Sequence, residues 1–414
     1  MRMYRCGWRL LVAAGLLAAC GTDTEKGSPT EPVRPFTSAE AQVAGASVDF
    51  GLALLGEVQG AESAKANLMI SPLSASTALG MTLNGAQGTT FDAMRRTLGF
   101  GDLTQAQVNA AYRGLLAQFR ARDPKVQLAL ANSLWYERTF PVFSSFADTL
   151  RSAFDAEVRG LDFADPASPK TISQWAEEKT GGRIKDLVKE IAPDEVLFLV
   201  NAVYFKAPWS APFDSASTYP ADFTRLDGST VRVPTMSRDG VFRGLTNGAL
   251  SAVELLYGDS AFSMVLLAPA SGHSLAPILP RLEPARWNAL LDSLRVTRFL
   301  LTLPRFRFDY GTRLDPALRN LGMGIAFDRE RANFGGIADL RALGRNLYIS
   351  RVEQKAFIDV NESGTEAAAA TAVGIGITSL PPQLRFDRPF LFAVRERSTG
   401  AILFAGRVGD PSAT

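Results

Sequence analysis

Apolar residues recur at helical spacing early in the chain. Val43, Ala46, Phe50 and Leu54 share one face and predict an amphipathic helix from Ala39 to Glu57. Ser71-Pro72 predicts a second helix start, because a hydroxyl at the cap position and a proline at the first helical position precede Leu73, Leu79 and Leu83. Further helices are expected at Gln105 to Arg120, Ser144 to Phe154 and Thr171 to Lys179. The second half reads differently. Val196 to Phe205 is almost wholly apolar, as a strand buried on both faces would be, and Phe262 to Leu267 is similar. Arg305-Phe306-Arg307-Phe308 alternates like a half-exposed strand. Phe390 to Val394 and Ile402 to Val408 flank Ser398-Thr399-Gly400, the signature of a hairpin. No long repeat and no Pro/Gly linker interrupts residues 39 to 410, so a single α+β domain is expected there.

The segment before it has another character. Arg2, Arg5 and Arg9 precede an apolar run from Leu10 to Ala19, too short to span a bilayer and of the length of a secretory core. Residues 1 to 19 are therefore expected to be a signal peptide. Leu17-Ala18-Ala19-Cys20-Gly21 resembles a bacterial lipobox, which would make Cys20 a lipid anchor on the outer membrane, facing the periplasm or the cell exterior. The alternative is cleavage after the small residues with Cys20 unmodified. Residues 20 to 38, with Pro29, Pro32 and Pro35, lack an apolar period and read as a flexible tether.

Composition narrows the chemistry. The 414 residues include 44 Lys+Arg and 42 Asp+Glu but only one His and two Cys. A zinc site wants about four N or S ligands, and a Cys-His nucleophile needs both residues in the fold, so no metal and no cofactor is expected. The near balance of charge lacks the basic excess of a nucleic-acid binder. His273 lies in Ser271-Gly272-His273-Ser274 with no nucleophile elbow nearby. Gly322-Met323-Gly324 lacks the third glycine of a dinucleotide loop. An enzyme is not expected.

The most unusual stretch runs from Glu362 to Pro382. No charge occurs between Glu366 and Arg385, its first half is alanine-rich, and its second half alternates Gly with β-branched residues before Pro381-Pro382. The segment Lys355-Ala356-Phe357-Ile358-Asp359-Val360-Asn361-Glu362-Ser363-Gly364-Thr365-Glu366-Ala367-Ala368-Ala369-Ala370-Thr371 resembles the strand and proximal hinge of the serpin family. Other matches are Asn67-Leu68-Met69-Ile70-Ser71-Pro72-Leu73-Ser74, Leu199-Val200-Asn201-Ala202-Val203-Tyr204-Phe205-Lys206 with Trp209 and Phe213, Leu303-Pro304-Arg305-Phe306, and Leu403-Phe404-Ala405-Gly406-Arg407-Val408. The resemblance covers roughly residues 40 to 411. It implies eight or nine helices, three β-sheets and an exposed reactive-centre loop at about 362 to 382.

It also implies a function. In inhibitory serpins a protease cuts the loop, whose hinge side then inserts as a new strand and carries the acyl-linked enzyme with it. An inserted strand buries alternate side chains, here Thr365, Ala367, Ala369 and Thr371, all small and uncharged, while Glu366 falls on the other parity. A bulky or charged inward residue would cost several kcal/mol. Family spacing from Glu362 assigns Thr378 and Ser379 to the scissile bond. A small, neutral Thr378 suits an elastase-like or subtilisin-like serine protease, with a cysteine protease as a further option. Cleavage after Ile377 or Leu380 would change the target and keep the mechanism.

The resemblance further places Trp209 and Arg305 at the mouth of the sheet, and Ser71, Ser74 and Asn201 in a central hydrogen-bond cluster whose usual His is replaced by Gln354. The competing reading is a non-inhibitory serpin acting as a binding scaffold. In either case a monomer is expected.

Overall fold

The computed structural model describes residues 33–193, 195–276, 278–344, 346–365 and 381–413. The signal segment, Cys20, Glu366 to Thr371, Thr378 and Ser379 lie outside the described residues. The apolar spacing of the first third produces α1 (Ser38–Ala61), α2 (Pro72–Leu83), α3 (Gly88–Leu98), α4 (Gln105–Ala121), α5 (Ser144–Phe154) and α6 (Ser168–Lys179). Later come α7 (Pro284–Ser293) and the single turns α8 (Asp315–Leu318) and α9 (Leu340–Leu343). Thr37 caps α1 by a reciprocal box with Glu40, and Thr104 does the same for α4 with Gln107.

Among the described residues the strands are β1 (Leu68–Ile70), β2 (Gln127–Glu137), β3 (Ala156–Leu161), β4 (Leu197–Pro208), β5 (Tyr219–Thr224), β6 (Thr230–Thr246), β7 (Leu250–Tyr257) and β8 (Phe262–Pro269), followed by β9 (Arg295–Pro304), β10 (Phe306–Arg313), β11 (Glu353–Asn361), β12 (Gly364–Thr365), β13 (Gln383–Arg385), β14 (Phe390–Glu396) and β15 (Ile402–Val408). They form two hydrogen-bonded sheets. One runs β1-β15-β14-β8-β7-β6-β9-β13, with β5 paired to β6 as its ninth strand; the other has six strands, β10-β11-β12-β4-β2-β3. The expected third sheet is continuous with the first, because the 17-residue β6 pairs with β5 at one end, β9 along its length and β7 at the other end.

β4 is buried on both faces, as its apolar run predicts. Val203, Phe205 and Ala207 join the main core, whereas Val200 and Ala202 pack with Trp135, Ile172 and Trp175 in a second cluster beneath α6. The expected tether ends earlier than residue 38. Arg34 forms an ion pair with the buried Glu40 at 2.6 Å, and the Phe36 ring packs edge-on against Phe119 at 5.8 Å, so charge pairing and an apolar contact dock this stretch on the domain. Arg305, expected inside a strand, instead occupies the break between β9 and β10.

Candidate functional site

The six-stranded sheet has a two-residue strand, β12, at its centre. Gly364 and Thr365 are its only residues in the described part of the chain, and they sit between β11 and β4. Val360 pairs with Thr365 and Asn361 with Gly364 on one side; Pro208 pairs with Gly364 and Ala207 with Thr365 on the other. Beyond this rung no ladder joins β4 to β11 among the described residues. In the smaller of the two sheets, β4 and β11 thus flank a lane with Gly364 and Thr365 at its end.

A tight turn brings the chain into this position. Asn361 accepts the Ser363 amide on its side-chain oxygen at 3.0 Å. The loop after β4 then grips three successive carbonyls. The Trp209 indole N–H donates to Asn361, the Phe213 amide to Glu362 and the Trp209 amide to Ser363, each at 2.9 Å. Gly364 has φ of +149°, and a Cβ there would lie 2.1 Å from the Ala207 carbonyl oxygen, so only glycine fits.

The side chains complete the seat. Thr365 is buried, and its hydroxyl lies 2.7 Å from the phenol of Tyr257, which stacks on Trp209 at 4.4 Å between ring centroids. Burial pushes the Tyr257 phenol far above its ordinary range, and the hydrogen bond to Thr365 only partly opposes this, so the hinge meets a neutral group. Glu362 is also buried. Arg305 Nε donates to its carboxylate at 2.7 Å, and the Thr218 hydroxyl donates to the same oxygen. Burial alone would raise the Glu362 pKa, but the bonds from Arg305 and Thr218 outweigh it and hold the group below the ordinary 4.5. A depressed folded-state pKa contributes stability that is full above about pH 4.5 and is lost as pH falls through the folded value. Because Arg305 is 44% exposed, solvent screening keeps that contribution small.

A polar cluster lies farther down the lane, and the structure divides it between the two sides. Ser71 and Gln354 meet on the β11 side: the Ser71 amide donates to Gln354 Oε1 at 2.7 Å, and Gln354 Nε2 donates to the Ser71 carbonyl at 3.0 Å. Ser74 and Asn201 meet on the β4 side, where the Ser74 hydroxyl donates to Asn201 Oδ1 and Asn201 Nδ2 donates to Asn132 Oδ1. The first turn of α2 therefore bridges both lips. Ser71 occupies the cap position of α2 but its hydroxyl does not cap the helix; it donates to the Leu403 carbonyl at 2.6 Å, tying α2 to the nine-stranded sheet. A cavity of about 90 Å³ lies where these elements meet. His273 is exposed in the loop after β8, and no group of three His, Cys, Asp or Glu able to hold a metal ion occurs among the described residues.

Gln354 uses its donor and its acceptor at once, which an imidazolium cannot. In Gln354→His, protonation would remove the acceptor for the Ser71 N–H, leaving a buried donor unpaired at a cost of about 1–3 kcal/mol. The variant is expected to lose stability as pH falls through about 6.5, the ordinary histidine range, while the wild type stays level there. Thermal unfolding followed from pH 5.5 to 8 checks this; identical profiles for the two proteins would contradict it.

The sequence pointed to Trp209, Arg305 and Glu362 but not to Tyr257 or Thr218. Neither carries a local signal, because each acts through a contact made only after β7 and the loop before β5 have folded against the hinge.

The family model for "Serpin (serine protease inhibitor)" matches residues 45–411. The chain belongs to the serpin family. An uncharacterized serpin-like protein of Thermococcus kodakarensis is 35% identical to this serpin over 83% of the chain and 81% of its own length. Antithrombin-III of Mus musculus is 34% identical over 83% of the chain and 76% of its own length. Among solved structures, the thermophilic serpin tengpin in its native state superposes with a TM-score of 0.81 at 28% identity, covering 92% of this chain and 96% of tengpin. Human thyroxine-binding globulin, solved with thyroxine, gives 0.82 at 25% identity, covering 90% and 100%. The shared architecture is therefore found both in a protein that carries a small ligand and in relatives of inhibitor type.

Proposed function

We propose that this serpin inhibits serine proteases by suicide trapping and is not itself a catalyst. The observation that carries the reading is the seated hinge: Gly364 and Thr365 form the first rung of a strand whose lane, between β4 and β11, holds no other ladder among the described residues. The protease supplies the nucleophile and cuts the loop, with Thr378-Ser379 as the proposed bond. The hinge then zips down the lane, gaining backbone hydrogen bonds to two strands at once. Small inward residues at Ala367, Ala369 and Thr371 support low resistance to that movement. A small, neutral residue at 378 supports elastase-like or subtilisin-like targets. The N-terminal arginines, the apolar run and Cys20 support export and a lipid anchor, and with them an activity outside the inner membrane.

The test is to mix the chain with elastase, subtilisin and trypsin and resolve the products by denaturing gel. The first two are expected to form a complex that survives SDS, and loop cleavage alone is expected to raise the thermal midpoint. Clean loop cleavage without a complex and without added stability would instead favour a ligand-carrying role.

A further inference from the structure

Trp209 and Phe213, which grip the hinge turn, also line a separate cavity of about 280 Å³ between β6, β7 and β9. Its walls combine two chemistries. Val241 and Val296 are 66% and 73% exposed, the two most exposed large apolar residues of the described chain, and they are diagonal neighbours on the β6–β9 ladder. Phe242, Leu255 and Leu256 extend the apolar wall, while the charged part consists of Arg238, Arg243 and Arg397 against a single carboxylate, Glu254.

That carboxylate is already shared. Glu254 is buried, accepts from Arg243 at 2.7 Å and from the Ser263 hydroxyl at 2.8 Å, and lies 3.4 Å from Arg397. Arg238 has no carboxylate partner among the described residues; its guanidinium stands over the rings of Phe213 and Phe242, at 5.4 and 4.3 Å from their centroids. Arg395, beside this group on β14, is 8% exposed, and its Nε has no hydrogen-bond partner. The nearby Asp239 is occupied by Arg298 at 2.8 Å, and Glu396 by Ser398 and Thr399. Three guanidiniums therefore line the cavity beside one carboxylate that two of them already share, with Arg395 behind them and the exposed Val241 and Val296 at the rim. Cations in excess over the carboxylate beside them are stabilised by an anion from outside the chain.

We propose that this cavity binds a small organic anion, an apolar ring or chain bearing a carboxylate or sulfate. The apolar body would lie against Val241, Val296 and Trp209, with the acid group among Arg238, Arg243 and Arg397. The site is independent of the protease-trapping reading, although its occupant would touch the indole that holds the Asn361 carbonyl.

Naphthalene-1-sulfonate and the uncharged 1-naphthol, titrated into the chain by calorimetry, test the proposal. The sulfonate is expected to bind one molecule per chain, about tenfold or more tighter than the naphthol, the worth of a charge-assisted contact. Val241→Glu and Val296→Glu, both at exposed positions, are expected to weaken it by at least about tenfold through like-charge repulsion, with thermal midpoints unchanged. Val33→Glu, at an exposed valine outside the cavity, should bind as the wild type does. Arg397→Gln should weaken the sulfonate and spare the naphthol. Equal affinity for the two probes, absence of saturable binding at millimolar concentration, or rim variants that bind like the wild type would each overturn the proposal.

Discussion

Thr365→Arg is expected to abolish covalent trapping while leaving the loop fully cleavable. Thr365 is 2% exposed and hydrogen-bonded to a neutral, fully buried phenol. An arginine there must either drag an unpaired charge into the core, at a cost of roughly 3–5 kcal/mol, or stay out and hold the hinge away from its first rung. Protection of the acyl-enzyme depends on insertion outrunning its hydrolysis, so even a modest barrier shifts the partition strongly: about 1.4 kcal/mol is a factor of ten in rate. The measurement is a denaturing gel after mixing with subtilisin. Cleaved variant and free, active protease are expected, with no stable complex. Thr365→Ser keeps the hydroxyl near Tyr257 and should still trap. If Thr365→Arg formed as much complex as the wild type, insertion through this rung would be refuted.

Gly364→Ala is the second large effect. Its Cβ would run into the backbone of β4, 2.1 Å from the Ala207 carbonyl oxygen and 2.7 Å from Pro208 Cα, at a φ that side chains rarely adopt. Backbone strain and overpacking together cost roughly 2–6 kcal/mol. The chain would avoid this by unseating the hinge, releasing Thr365 from Tyr257. A thermal midpoint several degrees lower is expected, together with an altered environment for the Trp209 indole. Gly56→Ala is the matched control: it lies within α1 with nothing within 4 Å of an added Cβ, so its midpoint should hold or rise slightly. Equal midpoints for the two variants would mean that Gly364 is not held as described.

The helices were legible because each buries one face of a regular period, and α5 runs over the expected Ser144–Phe154. The C-terminal hairpin was legible because a turn signal stands between two apolar runs, and Gly400 indeed adopts φ of +80°. β2 was not. Asn132 and Ser133 interrupt its apolar pattern, yet both are buried, since Asn132 serves the Phe154 carbonyl and Ser133 the Trp135 indole. Polar residues satisfied by distant partners look like surface in a one-dimensional pattern. The same reason divides the candidate site. Glu362, Gly364 and Thr365 lie within one contiguous motif, whereas Tyr257 and Thr218 reach it across more than a hundred residues of sequence. The merging of two sheets through β6 is not legible in the sequence, because nothing in a strand's residues states how many partners it has.

The Ser71 amide occupies an unusual position. It precedes α2, so no helical carbonyl takes it, and the acceptor that seals it is the Gln354 side chain on β11. Solvent deuterium can reach that nitrogen only when helix and strand part company. Its exchange rate is therefore a clock for separation on that side of the lane, readable by hydrogen exchange with no target protease present and no substitution made.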